Sequence, residues 1–179
     1  MNRLASRLAL LLAAIVSVSA AQGETSQVSA NGFTSSFREE VKAGPDAAWQ
    51  AIAELPRWWS DPHTWSGTAS NMTLELRAGG CWCESWGGGQ SVQHGQVLLV
   101  QPGRVIRLAA ALGPLQELPA QGVLTIVTGA QEGKTVLRMT YRVGGPSDIG
   151  LDKLAPAVDQ VMGQQFRRLK SLIETGKPE

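Results

Sequence analysis

Residues 150–174 read GLDKLAPAVDQVMGQQFRRLKSLIE, and this stretch decides the fold class. Its apolar residues recur at intervals of three, four and seven, which is typical of one face of an α-helix. That face consists of Leu151, Leu154, Val158, Val161, Met162, Phe166, Leu169, Leu172 and Ile173. We therefore predict one long amphipathic helix whose apolar face is buried against the rest of the protein.

The segments before this helix alternate between short β-prone runs and glycine- or proline-rich turns, which is typical of an antiparallel meander. The predicted strands are 34–43, 72–77, 81–86, 92–100, 104–112, 123–128 and 135–143, with two short helices, 47–54 and 57–60, after the first strand. We therefore predict an α+β fold in which a curved antiparallel sheet of about six or seven strands wraps around the C-terminal helix. A pocket between the sheet and the helix is the expected consequence.

This order of elements resembles the helix-grip fold of the START-like superfamily (SRPBCC), also called the polyketide cyclase/dehydrase-like group. The branch that it resembles is that of the chaperone-ATPase-activator homologues. The matching positions are Pro45-Asp46-Ala47-Ala48-Trp49, Trp58-Trp59, Gly79-Gly80, Glu84, His94-Gly95-Gln96-Val97, Pro102-Gly103, Val158-Asp159, Gln165 and Leu169. The resemblance covers about residues 33–174 and implies a helix-grip domain over 33–175.

Relatives in this superfamily differ in activity. Some bind sterols, lipids or plant hormones, some cyclise polyketides, and some bind chaperones. The positions that match here belong to the framework of the fold, and the superfamily has no shared catalytic motif. The resemblance therefore implies a fold with a pocket and carries no activity over to particular residues.

The N-terminus has the three parts of a secretory signal peptide, which are a basic start, an apolar run over 8–16 and an exit of small residues. The apolar run is shorter than the ~20 residues that a membrane-spanning helix needs. We predict cleavage after Ala20 or Ala21 and a periplasmic or secreted bacterial protein with no stable membrane insertion. Residues 22–32 are polar and small, and we predict that they form a flexible segment.

The charge of the chain argues against nucleic acid as a partner. Removal of residues 1–21 takes away Arg3 and Arg7 and no acidic residue, so the formal charge changes from +1 to −1. Such a balance gives no reason to expect a polyanionic partner. The sequence also contains no Walker loop, nucleophile elbow or dinucleotide fingerprint, so we predict no cofactor.

Tryptophan is abundant where the pocket is expected. Five of the six tryptophans lie within residues 58–86, which cover the short helices and the first hairpin at the pocket mouth. An aromatic lining for a flat or apolar ligand is one interpretation, and ordinary packing is the other. We predict that Trp59, Trp65 and Trp86 line the pocket, together with Met162 and Phe166 of the C-terminal helix.

Glu84 and His94 form the most informative polar pair. If the hairpin turn centres on Gly89, the two residues lie opposite each other on adjacent strands, with Cβ atoms about 5 Å apart. The same parity places Trp82, Trp86, Val92, Gln96 and Leu98 on their face, and a slip of one residue would reverse it. An inward pair would be a general base with its orienting partner or a polar anchor for a ligand hydroxyl. The alternative interpretation is a solvated or structural ion pair without a role in the pocket.

Tyr141 is the only tyrosine. Its neighbours in the predicted strand are polar, and this alternation places Tyr141 on the predicted inner face. Its hydroxyl either contacts a ligand or donates to a buried carbonyl. Glu84, His94 and Tyr141 are thus the candidate catalytic residues.

Cys81 and Cys83 are the only cysteines and share one face of a predicted strand. Residues i and i+2 of a strand have Cα atoms roughly 6.5–7 Å apart, at the upper limit for a disulfide. Export to an oxidising compartment permits a disulfide, but this geometry disfavours it. With His63, His94 and Glu84 the cysteines match no standard ligand spacing, so we predict no metal site.

Three hypotheses follow for the function. The first is an exported protein that binds a small apolar or aromatic molecule in the pocket. The second is a cyclase- or hydrolase-like enzyme that uses Glu84, His94 or Tyr141. The third is a protein-interaction module without a ligand, and the sequence leaves the oligomeric state open.

Overall fold

The computed structural model describes residues 23–179, so the signal-peptide prediction lies outside the described residues. Three α-helices occur in the described part: α1 (Pro45–Ala53), α2 (Leu55–Trp58) and α3 (Leu151–Thr175). The strands there are β1 (Glu24–Ser29), β2 (Gly32–Val41), β3 (Met72–Leu74), β4 (Cys81–Trp86), β5 (Gln90–Gln101), β6 (Val105–Ala109), β7 (Gln121–Gln131) and β8 (Lys134–Gly144).

All eight strands form one antiparallel sheet in the order β1-β2-β8-β7-β6-β5-β4-β3. The apolar face of α3 packs on β1, β2 and β8 at one side of the sheet. In the contact between α3 and β2, the Phe166 ring stacks on that of Phe37, with centroids 5.5 Å apart. Full burial of such a side chain stabilises the fold by about 1.5–3 kcal/mol. The predicted α+β helix-grip architecture is confirmed.

β1 lies where the sequence predicted a flexible segment over 22–32. Glu24–Ser29 instead pairs antiparallel with β2, and the Thr34 hydroxyl donates to the Gln27 side-chain oxygen at 3.2 Å. The turn that follows is held by α3, because the Leu151 amide donates to the Ala30 carbonyl at 2.9 Å. The strand depends on backbone hydrogen bonds and its side chains are mostly exposed, so it leaves no apolar alternation in the sequence.

A bulge in the β4–β5 hairpin changes the predicted register. Glu84 lies opposite Val92, and Trp82 lies opposite Gly95, so His94 is an extra residue on β5 without its own partner. The parity of β5 reverses after this bulge, as bulges insert one residue into one strand. Gln96 and Leu98 are therefore exposed, whereas the sequence prediction placed them on the Glu84 face.

Cys81 and Cys83 are joined by a disulfide, which our geometric argument had disfavoured. Their Cα atoms are 5.4 Å apart, well inside the normal range for a disulfide and shorter than the regular i to i+2 spacing. The bulge on β5 lies opposite this point, between the partners of Trp82 and Cys83, and the short Cα distance shows that β4 is less extended here than a regular strand. The assumption of ideal strand geometry was therefore the source of the error.

The helices described in residues 23–179 include none that combines the length and the apolar character needed to cross a bilayer. α3 is the longest of them, and its apolar residues form one face that packs against the sheet.

Candidate functional site

A cavity of about 670 Å³ lies between α3 and the inner face of the sheet. Its walls come from the loop after α2, from single residues of β5 and β8, from the β6–β7 connection and from the first half of α3. The lining residues are Trp59, 62–65, His94, 112–115, Glu117, Tyr141, Leu154, Ala157, Val158, Val161 and Met162. Most of these side chains are apolar, and Glu117 is the only acidic one.

Five of the residues predicted for the site line this cavity: Trp59, Trp65, His94, Tyr141 and Met162. Trp65 is 48% exposed and lies at the cavity mouth, whereas Trp59 is almost fully buried. Trp59 is fixed in the wall because its indole N–H donates to the His63 carbonyl at 2.8 Å.

Trp86 and Phe166 lie elsewhere. Trp86 is at the end of β4, where its indole N–H donates to Gln90 at 2.7 Å across the hairpin. Phe166 is one turn beyond Met162 on α3 and is fully buried against Phe37. Neither residue lines the cavity, so their positions do not support the prediction that they contact a ligand there.

Glu84 lies behind the cavity wall with no exposed surface. Its carboxylate accepts hydrogen bonds from the Ser66 amide at 2.6 Å, the Trp65 amide at 3.1 Å and His94 Nε2 at 2.7 Å. Burial raises the pKa of Glu84, but the hydrogen bonds from Ser66, Trp65 and His94 together outweigh burial and hold the pKa below its usual 4.5. Glu84 is therefore ionised at neutral pH and anchors both the Trp65 loop and the His94 ring.

His94 connects Glu84 to the cavity. Its ring stacks on Trp82 with centroids 5.2 Å apart, and Trp82 in turn meets Trp59 edge to face at 4.8 Å. Burial lowers the pKa of His94 more than the neighbouring Glu84 carboxylate raises it, so the imidazole is neutral at neutral pH. Because Nε2 then carries the proton donated to Glu84, Nδ1 is an acceptor. The described residues provide no hydrogen-bond donor to Nδ1.

His63 also lines the cavity, and its tautomer follows from Gln165. The Ser60 amide, which can only donate, is 2.9 Å from Gln165 Oε1, so Gln165 Nε2 points the other way. That Nε2 group donates to His63 Nδ1 at 3.1 Å and to the Ser60 hydroxyl at 2.9 Å. His63 Nδ1 is therefore unprotonated, and the proton of the neutral ring is on Nε2. Burial also lowers the pKa of His63.

Tyr141 contributes its ring to the cavity and uses its hydroxyl elsewhere. The hydroxyl donates to the Ala110 carbonyl at 2.8 Å and accepts from the Leu112 amide at 3.1 Å. Burial raises the pKa of Tyr141 far above its usual range, and the hydrogen bond from Leu112 lowers it only in part. The hydroxyl therefore holds the start of the β6–β7 connection in place and is not a proton donor or acceptor for the cavity.

The arrangement supports binding better than a complete reaction. A neutral imidazole oriented by a carboxylate is the geometry of a general base. The lining supplies no lysine or arginine to stabilise a developing anion, and the Tyr141 hydroxyl is already paired. In residues 23–179, no group of three or more His, Cys, Asp and Glu side chains is arranged to hold a metal ion.

Two features of the site were missed by sequence reasoning. His63 was considered only as a metal ligand, and the connection between the strands predicted over 104–112 and 123–128 was given no role in the site. Gln165 carried a usable signal, because it is a polar residue four positions after Val161 on the apolar face of α3. A fully buried polar side chain on such a face needs a specific partner, which here is the Ser60–His63 loop.

Comparisons with known proteins agree on the fold. A protein-family model described as "Activator of Hsp90 ATPase homolog 1-like protein" matches residues 43–174. No curated protein matches the chain.

Solved structures with the same fold share little sequence with the chain. CalU16 from Micromonospora echinospora is 16% identical over 89% of this chain and 87% of that chain, with a TM-score of 0.58. The Aha1 dimer from Colwellia psychrerythraea is 18% identical over 80% of this chain and 98% of that chain, with a TM-score of 0.55. DynU16, a protein in the dynemicin biosynthetic locus, is 17% identical over 81% of this chain and 48% of that chain, with a TM-score of 0.56. At these identities the likeness establishes the fold alone.

Proposed function

Because the chain belongs to the family of Activator of Hsp90 ATPase homolog 1-like proteins, whose helix-grip fold forms a pocket, we propose that it binds a small apolar or aromatic molecule. The observation that carries the proposal is the cavity of about 670 Å³ between α3 and the sheet. Its volume falls within the range of about 300–1,000 Å³ that is typical of small-molecule sites. Its lining combines many apolar side chains with a few oriented polar groups, which is the usual composition of such sites.

We also propose that the protein acts outside the cytoplasm, after cleavage following Ala20 or Ala21. The basic, apolar and small-residue parts of residues 1–21 support this proposal. An exported protein would not meet a cytosolic chaperone, so the activity named in the family description is not part of our proposal. N-terminal sequencing of the protein recovered from each host fraction tests the export step. A cytosolic protein that still begins at Met1 would contradict it.

Native mass spectrometry of the protein purified from its host tests ligand binding. We expect a fraction of the protein to carry a small molecule that is released on denaturation and identified by its mass. Met162→Trp provides a matched variant, because it fills the cavity from the α3 side with a larger apolar side chain. We expect this variant to lose the bound mass while it remains folded by circular dichroism. Equal occupancy in both proteins would place the ligand outside the cavity, and an empty protein in repeated preparations would contradict ligand binding.

Catalysis is the second candidate function, and the Glu84–His94 hydrogen bond is the observation that favours it. His94 would act as a general base with Glu84 as its orienting partner. Once a ligand is identified, incubation with the wild-type protein and with His94→Gln decides between the two functions. Conversion by the wild type alone supports an enzyme, and unchanged ligand in both samples supports a binding protein.

A further inference from the structure

The cavity walls carry two neutral imidazoles that offer opposite hydrogen-bonding groups. His94 Nδ1 is an acceptor, because Nε2 donates to the Glu84 carboxylate at 2.7 Å. His63 Nε2 is a donor, because Nδ1 accepts from Gln165 at 3.1 Å and lies 2.7 Å from the Ser60 hydroxyl. Both histidines line the same cavity. For neutral rings the partners assign the tautomers, because the Glu84 carboxylate can only accept and Gln165 Nε2 can only donate.

Each of these tautomers is fixed from behind the cavity wall. The Glu84 carboxylate is fully buried and accepts hydrogen bonds from two backbone amides as well as from His94. These bonds keep the carboxylate ionised, so the proton shared with His94 is on Nε2 of the imidazole. Gln165 is also fully buried, and the Ser60 amide fixes which end of its side chain faces His63. The other nitrogen of each ring, His94 Nδ1 and His63 Nε2, has no hydrogen-bond partner among the described residues, and both residues line the cavity. A ligand that reaches these nitrogens would meet a preformed acceptor and a preformed donor, which lowers the ordering cost of binding.

The charges around the cavity indicate a neutral ligand. None of the lining residues is lysine or arginine, so an anion would be desolvated without a counter-ion. It would also lie near the ionised Glu84 carboxylate, because His94 both lines the cavity and bonds that carboxylate. A cation would find only Glu117 among the lining residues, and the indole rings of Trp59 and Trp65 present an apolar surface.

We propose that the ligand is a neutral, mainly apolar molecule that carries both a hydrogen-bond donor and an acceptor. The donor, a hydroxyl or an N–H, binds His94 Nδ1, and the acceptor, such as a carbonyl oxygen, binds His63 Nε2–H. This inference rests on the proposed ligand-binding function and specifies the chemical class of its ligand. A hydrocarbon of the same size would cover both nitrogens and leave them unpaired, which costs binding free energy.

Three naphthalenes of nearly equal size test this inference by fluorescence titration near neutral pH. 6-Acetyl-2-naphthol has the hydroxyl donor and the carbonyl acceptor. In 6-acetyl-2-fluoronaphthalene fluorine replaces the hydroxyl, and in 6-isopropenyl-2-naphthol a CH2 group replaces the carbonyl oxygen. We expect 6-acetyl-2-naphthol to bind about ten-fold more tightly than either analogue, because each analogue leaves one imidazole nitrogen desolvated and unpaired.

Two variants assign each preference to its histidine. His94→Leu removes the acceptor, and we expect the preference for hydroxyl over fluorine to disappear while the carbonyl preference stays. His63→Phe should have the converse effect. His94→Gln keeps an amide N–H for Glu84 and an oxygen acceptor, so it should retain the hydroxyl preference even if His94→Leu folds poorly. Trp86→Phe, which lies outside the cavity, is the control and should bind like the wild type.

The outcomes separate this inference from the proposed function. Equal affinity for the three probes, or preferences that persist in both histidine variants, overturns the inference and leaves ligand binding intact. If no probe binds although native mass spectrometry shows a bound molecule, the inference alone is overturned. If no probe binds and the native protein is empty, both the inference and the proposed function are overturned.

Discussion

Glu84 and His94 share a hydrogen bond of 2.7 Å between Oε2 and Nε2, although they are not partners in the sheet register. The bulge on β5 supplies the explanation, because it adds His94 as an extra residue that still points to the inner face. Bulges commonly re-aim a side chain next to a functional site. Here the bulge places a neutral imidazole between a buried carboxylate and the cavity.

Glu84→Gln should destabilise the protein strongly. The carboxylate accepts from two backbone amides and one imidazole, and an amide side chain would direct its own N–H groups at one of these donors. Hydrogen bonds to charged groups contribute about 1.5–3 kcal/mol, so we expect the free energy of unfolding to fall by about 2–3 kcal/mol in urea titrations.

Glu75→Gln is the matched control for this prediction. Glu75 is exposed and its carboxylate lies 2.6 Å from Arg77, and exposed ion pairs of this kind contribute about 0–1 kcal/mol. Equal losses in the two variants would show that Glu84 does not act as a buried anchor.

The sequence predicted the architecture because the fold depends on side-chain patterns. The apolar stripe of α3 and the glycine- and proline-rich turns between strands are visible without coordinates. The proximity of Glu84 and His94 was predicted as well, from a turn centred on Gly89, although the two residues are not directly opposite each other in the sheet. The functional roles given to the site residues stay predictions.

The features that escaped prediction depend on backbone geometry or on distant contacts. β1 is held by backbone hydrogen bonds to β2, and the bulge at His94 leaves no pattern in its own residues. The Cys81–Cys83 disulfide depends on a local Cα distance that ideal strand geometry does not give. The contact of His63 with Gln165 joins residues 102 positions apart, so only the folded chain brings them together.

Gln165→Leu should release the Ser60–His63 loop from α3. The variant puts an apolar side chain on the buried face but leaves the Ser60 amide without its acceptor. A buried donor without a partner costs about 1–3 kcal/mol, and we expect a loss of that size in the free energy of unfolding. The imidazole 15N shifts of His63 should also change from those of a single tautomer to those of a mixture.

Gln164→Leu is the control, since Gln164 is the neighbouring residue of the same type and is only half-buried. Surface changes of this kind usually alter stability by less than about 0.5 kcal/mol. If the His63 shifts respond equally to both substitutions, Gln165 does not determine the tautomer.

The Cys81–Cys83 disulfide should contribute little to stability and nothing to the cavity. The loop that it closes contains only three residues, and loop-closure entropy for so short a loop is below about 2 kcal/mol. The Cys81→Ser/Cys83→Ser variant should therefore unfold with a free energy lower by less than about 2 kcal/mol and bind the naphthalene probes unchanged. Intact mass measured with and without a thiol-alkylating reagent tests whether the bond is present. Alkylation of both cysteines in the native, non-reduced protein would contradict the disulfide.

Acidification should destabilise the protein in two steps. Burial lowers the pKa values of His63 and His94 below the ordinary 6.5, so the unfolded chain binds more protons than the folded one as the pH falls through that value. Stability rises with pH wherever the unfolded state binds more protons, so it should decline from about pH 6.5 downwards. Glu84 adds a second decline below its ordinary 4.5, because its pKa is also lowered in the folded state.

Urea unfolding measured at intervals from neutral to acidic pH tests this dependence. His94→Gln has no titratable group at this position, so its first decline should be shallower than that of the wild type, whereas its second decline should remain. A wild-type profile that stays flat until the carboxylates titrate would mean that the imidazoles of the folded protein accept protons as readily as those of the unfolded chain. The same measurement reports on the ligand site, because protonated His94 carries a hydrogen on Nδ1 and loses its acceptor. The affinity for 6-acetyl-2-naphthol should therefore fall at the pH at which His94 titrates in the folded protein.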